Sequence, residues 1–436
     1  MTQATQPPDE GQGRDVLVLG ADLAGAGPAD LLLRDGRFAD PGDARGDALR
    51  VDAHGLVALP GLVDLHTHLR EPGREDAETV ESGTRAAARG GYTAVLAMAN
   101  TNPVTDTADA AEHLAAVAAR VGSAEVVPVG AVSKGLAGEE LAELGLMARS
   151  AARTRVFSDD GHCVSDARLM RRALEYVRAF DGVVAQHAQD PRLAGRDACC
   201  DEGETSGRLG LPGWPAVAEA GIVARDVQLA ELTGSRLHVC HVSTAETVDV
   251  LRWAKGRGIP VTAEVTPHHL LLTVDELLGY DPTYKVNPPL RGSEDVAALR
   301  DALTDGTIDA VGTDHAPHAR HDKEHAFVDA AFGMLGLETA LAVVVETMVR
   351  PGALGWADVA TRMSSVPAHI ARLTGQGRPL AVGEPANLVL VDPARRAVVD
   401  RDGSLSLSRN NPWHGRDLPD PVVATWWQGR RTFARS

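Results

Sequence analysis

Gly61-Leu-Val-Asp-Leu-His-Thr-His-Leu-Arg70 is an apolar run that ends on two histidines one residue apart, and its reading decides the fold. In a strand, residues two apart project from the same face, so His66 and His68 can grip one metal ion. Taken alone, His-x-His also describes two histidines on a half-exposed strand. The metal reading gains weight because the arrangement recurs. Further apolar runs downstream also end on His or Asp.

From Pro60 to about Gly375, short apolar runs alternate with alanine-rich helical stretches. The runs include Thr93-Ala-Val-Leu-Ala-Met98, Val126-Val-Pro-Val129, Val183-Val-Ala-Gln-His187, Leu237-His-Val-Cys-His241, Val261-Thr-Ala-Glu-Val265 and Ala310-Val-Gly-Thr-Asp314. Strands alternating with helices predict βα units on a parallel sheet. A length of 436 residues accommodates one (β/α)8 barrel and a satellite. Residues 1 to 14 read as a disordered tail, and residues 15 to 60 as short β pieces between Gly, Asp and Pro turns. The barrel is expected over 61 to 375. Over 376 to 436 the β texture returns, in Ala386-Asn-Leu-Val-Leu-Val-Asp392 and Val422-Val-Ala-Thr-Trp-Trp427. The expected fold is therefore α/β: a (β/α)8 TIM barrel with a small β-sandwich domain formed by the two chain ends.

Charge and composition exclude several classes. The formal net charge is -17 and lysine and arginine do not cluster, so no nucleic-acid surface is expected. No apolar run approaches the roughly 18 residues of a membrane span, and the polar N-terminus is no signal peptide. Four irregularly spaced cysteines, with no Cys-x-x-Cys, suit a reducing compartment, and the cytoplasm is the expected location.

In such a barrel the chemistry sits at the C-terminal ends of the strands. His66 and His68 end the first run, Asp159 and Asp160 follow Thr154-Arg-Val-Phe-Ser158, and His187, His241 and Asp314 each end a later one. With Asp159 read as a neighbour that orients the loop, four histidines and two aspartates remain, enough for two ions, which lie about 3.5 to 4 Å apart in two-metal hydrolases. Strand alternation would turn His238 and Cys240 away from His241, toward the helices. Arg70, two residues beyond His68, would stay on the ligand face, where its fork suits a carboxylate. Asn100 and Asn287 lie near prolines, so turn roles also fit them. His268 and His269 read as structural, and His162, His315, His321 and His325 as loop residues.

Eight segments resemble the bacterial type I dihydroorotases of the amidohydrolase superfamily. They are Asp64-Leu-His-Thr-His-Leu-Arg70, Ala99-Asn-Thr-Asn-Pro103, Phe157-Ser-Asp-Asp-Gly161, Gln186-His-Ala188, His238-Val-Cys-His-Val-Ser243, Glu264-Val-Thr-Pro-His-His269, Lys285-Val-Asn-Pro-Pro-Leu-Arg291 and Gly312-Thr-Asp-His-Ala-Pro-His318. They follow the family's order, and the likeness covers about 15 to 430. It implies two divalent ions, with zinc the usual occupant: His66, His68 and Asp314 on one, His187 and His241 on the other, and Asp160 bridging both. Many superfamily members bridge with a carbamylated lysine; here none of the four lysines, Lys134, Lys255, Lys285 and Lys323, ends a strand suitably.

The resemblance further implies reversible hydrolysis of dihydroorotate to N-carbamoyl-aspartate in pyrimidine synthesis, with Asp314 as the proton shuttle. Arg70, Asn100 and His318 would hold the substrate carboxylate, while Asn287 and the backbone of Phe332 and Gly333 contact the ring; His68 would also border the substrate. It implies a homodimer and a possible association with an aspartate transcarbamoylase. An allantoinase or hydantoinase would instead predict a bridging lysine and no matched Arg70, Asn100 and His318. A non-catalytic scaffold would be expected to lose ligands, and here every position is filled. Gln189 departs from the acidic residue common in relatives, and residues 318 to 332 read as a mobile loop over the site.

Overall fold

The computed structural model describes residues 14 to 435, so the tail expected over 1 to 14 lies, apart from Arg14, outside the described residues. Eight strands follow one another in chain order: Leu62–Thr67, Tyr92–Ala97, Glu125–Pro128, Val156–Phe157, Val183–Gln186, Arg236–Val239, Val261–Val265 and Ala310–Val311. The first three pair in parallel, as do the last five. Parallel bridges from Gly130 to Phe157 and from Thr67 to His315 join the two groups at both seams, completing the ring.

Helices cover the outside of this ring, and their starts are written in the sequence. Thr79, Thr107, Asp166 and Thr244 each accept a hydrogen bond from the backbone N–H three residues on, opening Val80–Arg89, Ala108–Val121, Ala167–Val177 and Ala245–Gly256. Each such cap contributes about 1 kcal/mol. Leu237 and Val239 pack against helix residues Val223, Val227, Val248 and Leu251. A separate cluster, with Leu65, Leu96, Met98, Val156, Ala185, Cys240 and Ala310, fills the interior of the ring.

The two chain ends meet in one sheet of eight strands. Val57–Pro60 pairs antiparallel with Leu388–Val391 on one edge and parallel with Val16–Leu23 on the other. Pairing is therefore continuous, and Val18, Leu33, Phe38, Leu388, Leu390 and Trp426 form the core of this β-domain from the two chain ends. One C-terminal segment leaves this sheet and docks on the barrel. Leu407 N–H donates to the buried Glu78 carboxylate at 3.1 Å, Ser408 Oγ to Ala77 O at 2.7 Å, and Asn410 Nδ2 to Ala316 O at 2.9 Å. No helix among the described residues is long and apolar enough to cross a membrane.

Candidate active site

The strand ends bring all six expected ligands together. His66 Nε2 lies 3.3 Å from Asp160 Oδ1 and 3.6 Å from Asp314 Oδ1. His68 Nε2 lies 3.3 Å from Asp160 Oδ2 and 3.2 Å from Asp314 Oδ1. On the other side, His187 Nδ1 and His241 Nε2 approach to 2.9 Å, and each is 3.2 Å from Asp160 Oδ1. Two donor triads result, His66, His68 and Asp160 against Asp160, His187 and His241, each with its atoms within 4.8 Å of one another. Asp160 belongs to both.

These donors fit a cation. His66 Nε2 is buried without a hydrogen-bond partner. Burial opposes ionisation of Asp160 and Asp314, but the facing imidazoles outweigh it and hold both carboxyls well below the usual carboxylate range. Nitrogen and carboxylate donors converging in this way suit a divalent metal.

The ring tautomers are fixed from behind. Glu264 Oε1 accepts from His66 Nδ1 at 2.9 Å, Asn100 Oδ1 from His68 Nδ1 at 2.9 Å, and Gln189 Oε1 from His187 Nε2 at 3.0 Å. Each acceptor leaves the other ring nitrogen free to aim its lone pair at the centre. Gln189 thus supplies an acceptor without the charge an acidic residue would bring. Burial works against the Glu264 carboxylate, yet His238 and His66 pull it down to about 2. Sequence reasoning missed Glu264 in this role, although its inward register on the Val261–Val265 strand was a usable signal.

Backbone strain places several of these groups. His241, Asp314 and Arg70 have φ of 32°, 45° and 61°, in a region that costs an L-residue about 1 to 2 kcal/mol. The positive φ at His241 breaks strand alternation, which corrects the expectation for its neighbours. His238 and Cys240 face inward, His238 Nε2 lying 3.3 Å from Glu264 Oε2 and Cys240 joining His66 and Glu264 in one buried group. Arg70 likewise lies past the strand end, so its turn, and not alternation, sets its direction. Beneath Asp314, Asp64 accepts from Thr313 N–H at 2.8 Å and Thr313 Oγ1 at 2.7 Å, pinning the last strand to the first. Asp159 accepts from the N–H groups of Val132 and Ser133 at 2.8 and 2.9 Å, and so anchors a loop.

A cavity of about 240 Å³ opens over the centre, and its walls include Arg70, Asn100, Asn287, His318, Phe332 and Gly333. His318 Nε2 donates to Phe332 O at 2.7 Å, and Arg70 Nε donates to Pro317 O at 3.0 Å. Burial, then the charges of Arg70 and Lys323, push the His318 imidazole down to about 2, so it is neutral. Gly333 has φ of 130°, and a Cβ there would stand 2.6 Å from Ala316 Cβ. His268 and His269 are buried, with His269 bridging Thr266 and Pro289 O. No lysine is among the residues lining the cavity over the triads, and Lys134 pairs with Glu140 in an exposed loop.

The Dihydro-orotase-like family model matches residues 55 to 247. A dihydroorotase of Streptomyces coelicolor is 60% identical over 421 residues, spanning 96% of this chain and 98% of that protein. The chain belongs to the dihydroorotase family. A second dihydroorotase, from Mycobacterium tuberculosis, is 53% identical over 432 residues, with 99% and 97% covered. Among solved structures, the L-hydantoinase (dihydropyrimidinase) of Arthrobacter aurescens superposes with a TM-score of 0.84 at 24% identity, covering 97% of this chain and 99% of that one. The dihydroorotase family member described here therefore shares its TIM-barrel fold with that hydantoinase.

Proposed function

We propose that this chain catalyses the reversible hydrolysis of dihydroorotate to N-carbamoyl-aspartate, in de novo pyrimidine synthesis. The observation that carries the reading is the pair of donor triads sharing Asp160 beneath a cavity walled by Arg70, Asn100 and His318. In this reading His66, His68 and Asp314 would hold one divalent ion and His187 and His241 the other, with Asp160 available to both. Zinc suits the donor set. Bound there, the ions would lower the pKa of a shared water and polarise the scissile carbonyl.

The chain's own residues do the rest. Asp314, held ionised, takes the proton of the attacking water and delivers it to the ring nitrogen as the C–N bond breaks. Ring closure runs this proton path backward. Arg70 clamps the substrate carboxylate through its fork. Asn100, whose Oδ1 is committed to His68, donates to that carboxylate through its amide nitrogen. His318 reaches it by exchanging its bond to the Phe332 carbonyl, and Asn287, Phe332 and Gly333 face the ring.

Metal-replete protein assayed with dihydroorotate, N-carbamoyl-aspartate and hydantoin tests the proposal. Turnover of the first two in opposite directions, with hydantoin left intact for want of a carboxylate, is expected. No turnover of either carboxylate compound would refute it. A cytoplasmic homodimer, with an aspartate transcarbamoylase as partner, belongs to the same reading. Size-exclusion chromatography of the two purified proteins, alone and mixed, tests that part.

A further inference from the structure

Two of the chain's four lysines, Lys285 and Lys323, meet at the wall of the cavity. Lys323 is 7% exposed, and among the described residues no salt bridge links its ammonium to an acidic group. Its Nζ instead donates to three carbonyls: Ala331 at 2.8 Å, Gly333 at 3.1 Å and Lys285 at 3.3 Å. An ammonium has three N–H donors, and all three are used.

These carbonyls come from two segments of the chain that meet beside the cavity. Gly333, at the end of the loop that follows His318, and Asn287, two residues after Lys285, both line it. Gly333 N–H also donates to Lys285 O at 2.9 Å. Lys285 adds a second tie, since its Nζ donates to Val328 O at 2.8 Å and sits 4.3 Å above the Phe332 ring. Two residues that border the cavity, Phe332 and Gly333, thus owe their placement to buried ammonium groups that do not touch the cavity themselves.

We propose that Lys323 is a positioning residue whose ammonium latches residues 324 to 333 shut against the substrate cavity and thereby sets KM. The inference rests on the cavity being the dihydroorotate site. Its chemistry explains why a lysine serves here. A carboxylate or a planar guanidinium would not match three converging carbonyls, whereas a compact ammonium does. Burial, then the charge of Lys285, push Lys323 down to about 7, and the charge of Asp281 opposes this. Keeping such a group buried costs stability, which a surface loop with no positioning task would have no reason to bear.

Lys323→Met is the test, read in two ways. Metal content and Tm should stay near wild type while KM for dihydroorotate rises about tenfold or more and kcat changes little. Without substrate, chymotrypsin should cut after Phe327, only 3% exposed in the closed loop, several-fold faster than in wild type. Lys323→Arg, which keeps the charge but not the compact shape, should fall between. Unchanged cleavage, or faster cleavage with unchanged KM, would overturn the proposal. So would collapse of Tm or metal content, because a latch on one loop predicts damage confined to that loop. The cleavage measurement needs no turnover, so it tests the latch separately; a wild-type protein inert toward dihydroorotate would refute the cavity reading instead.

Discussion

The floor and the rim of the cavity are built by different rules. The floor, from His66 to Asp314, lies at strand ends that are hydrogen-bonded on both sides, and the rings of His66, His68 and His187 are each held from behind by an acceptor, Glu264, Asn100 and Gln189. The rim, residues 318 to 333, has little regular structure beyond Arg320–Lys323 and is tied by its own Lys323 and by Lys285 and Asn410 from elsewhere in the chain. Strand ends give the fixed geometry that proton transfer needs, while loops give recognition that can change without moving the chemistry.

The strongest way to break this contrast is Asp314→Asn. If the floor alone carries proton transfer, both directions should fall by about 10³-fold or more in protein that still binds both ions. Hydrolysis by wild type should rise with pH to a plateau and ring closure should fall over a similar range. Asp314 is held well below the carboxylate range and is ionised throughout, so the apparent pKa belongs to the coupled site. A shared pH trend, or near-normal rates for the metal-replete variant, would remove Asp314 from the shuttle.

Asp160→Ala should come next, losing bound metal together with about 10²-fold or more of the rate, whereas Asp159→Ala, a loop anchor, should keep its metal. Equal retention in the two variants would undo the bridge. At the rim, Arg70→Met should reduce kcat/KM by about 10- to 150-fold, the value of a charge-assisted contact of about 1.5 to 3 kcal/mol, with metal content intact. Back on the floor, Glu264→Gln keeps an acceptor for His66 but removes the charge. A loss of about tenfold in metal affinity is expected, at the low end for groups that orient ligands; no change would show that the charge of Glu264 is idle.

The same contrast marks what could be read from the sequence. The six side chains that converge at the strand ends were legible because they follow apolar runs, and that pattern is local. His238 and Cys240 were misjudged because alternation fails where His241 takes a positive φ, which no local pattern announces. Glu264 looked like one more strand residue, since its partner His66 lies 198 positions away. Asn410 was invisible for the same reason: it reaches the rim from a segment that otherwise belongs with the terminal sheet, and only the folded chain brings it to Ala316 and Gly333. The continuous sheet was likewise hidden, because composition announces strands but not which edges pair.

The central claim is that Asp160 joins two ion sites into one catalytic centre, and titrating metal-free protein with zinc tests it most directly. Bound zinc and dihydroorotate hydrolysis would be followed together. Activity should stay low up to one equivalent per chain and appear as the second binds. Full activity at one equivalent, or two equivalents bound without turnover, would contradict it.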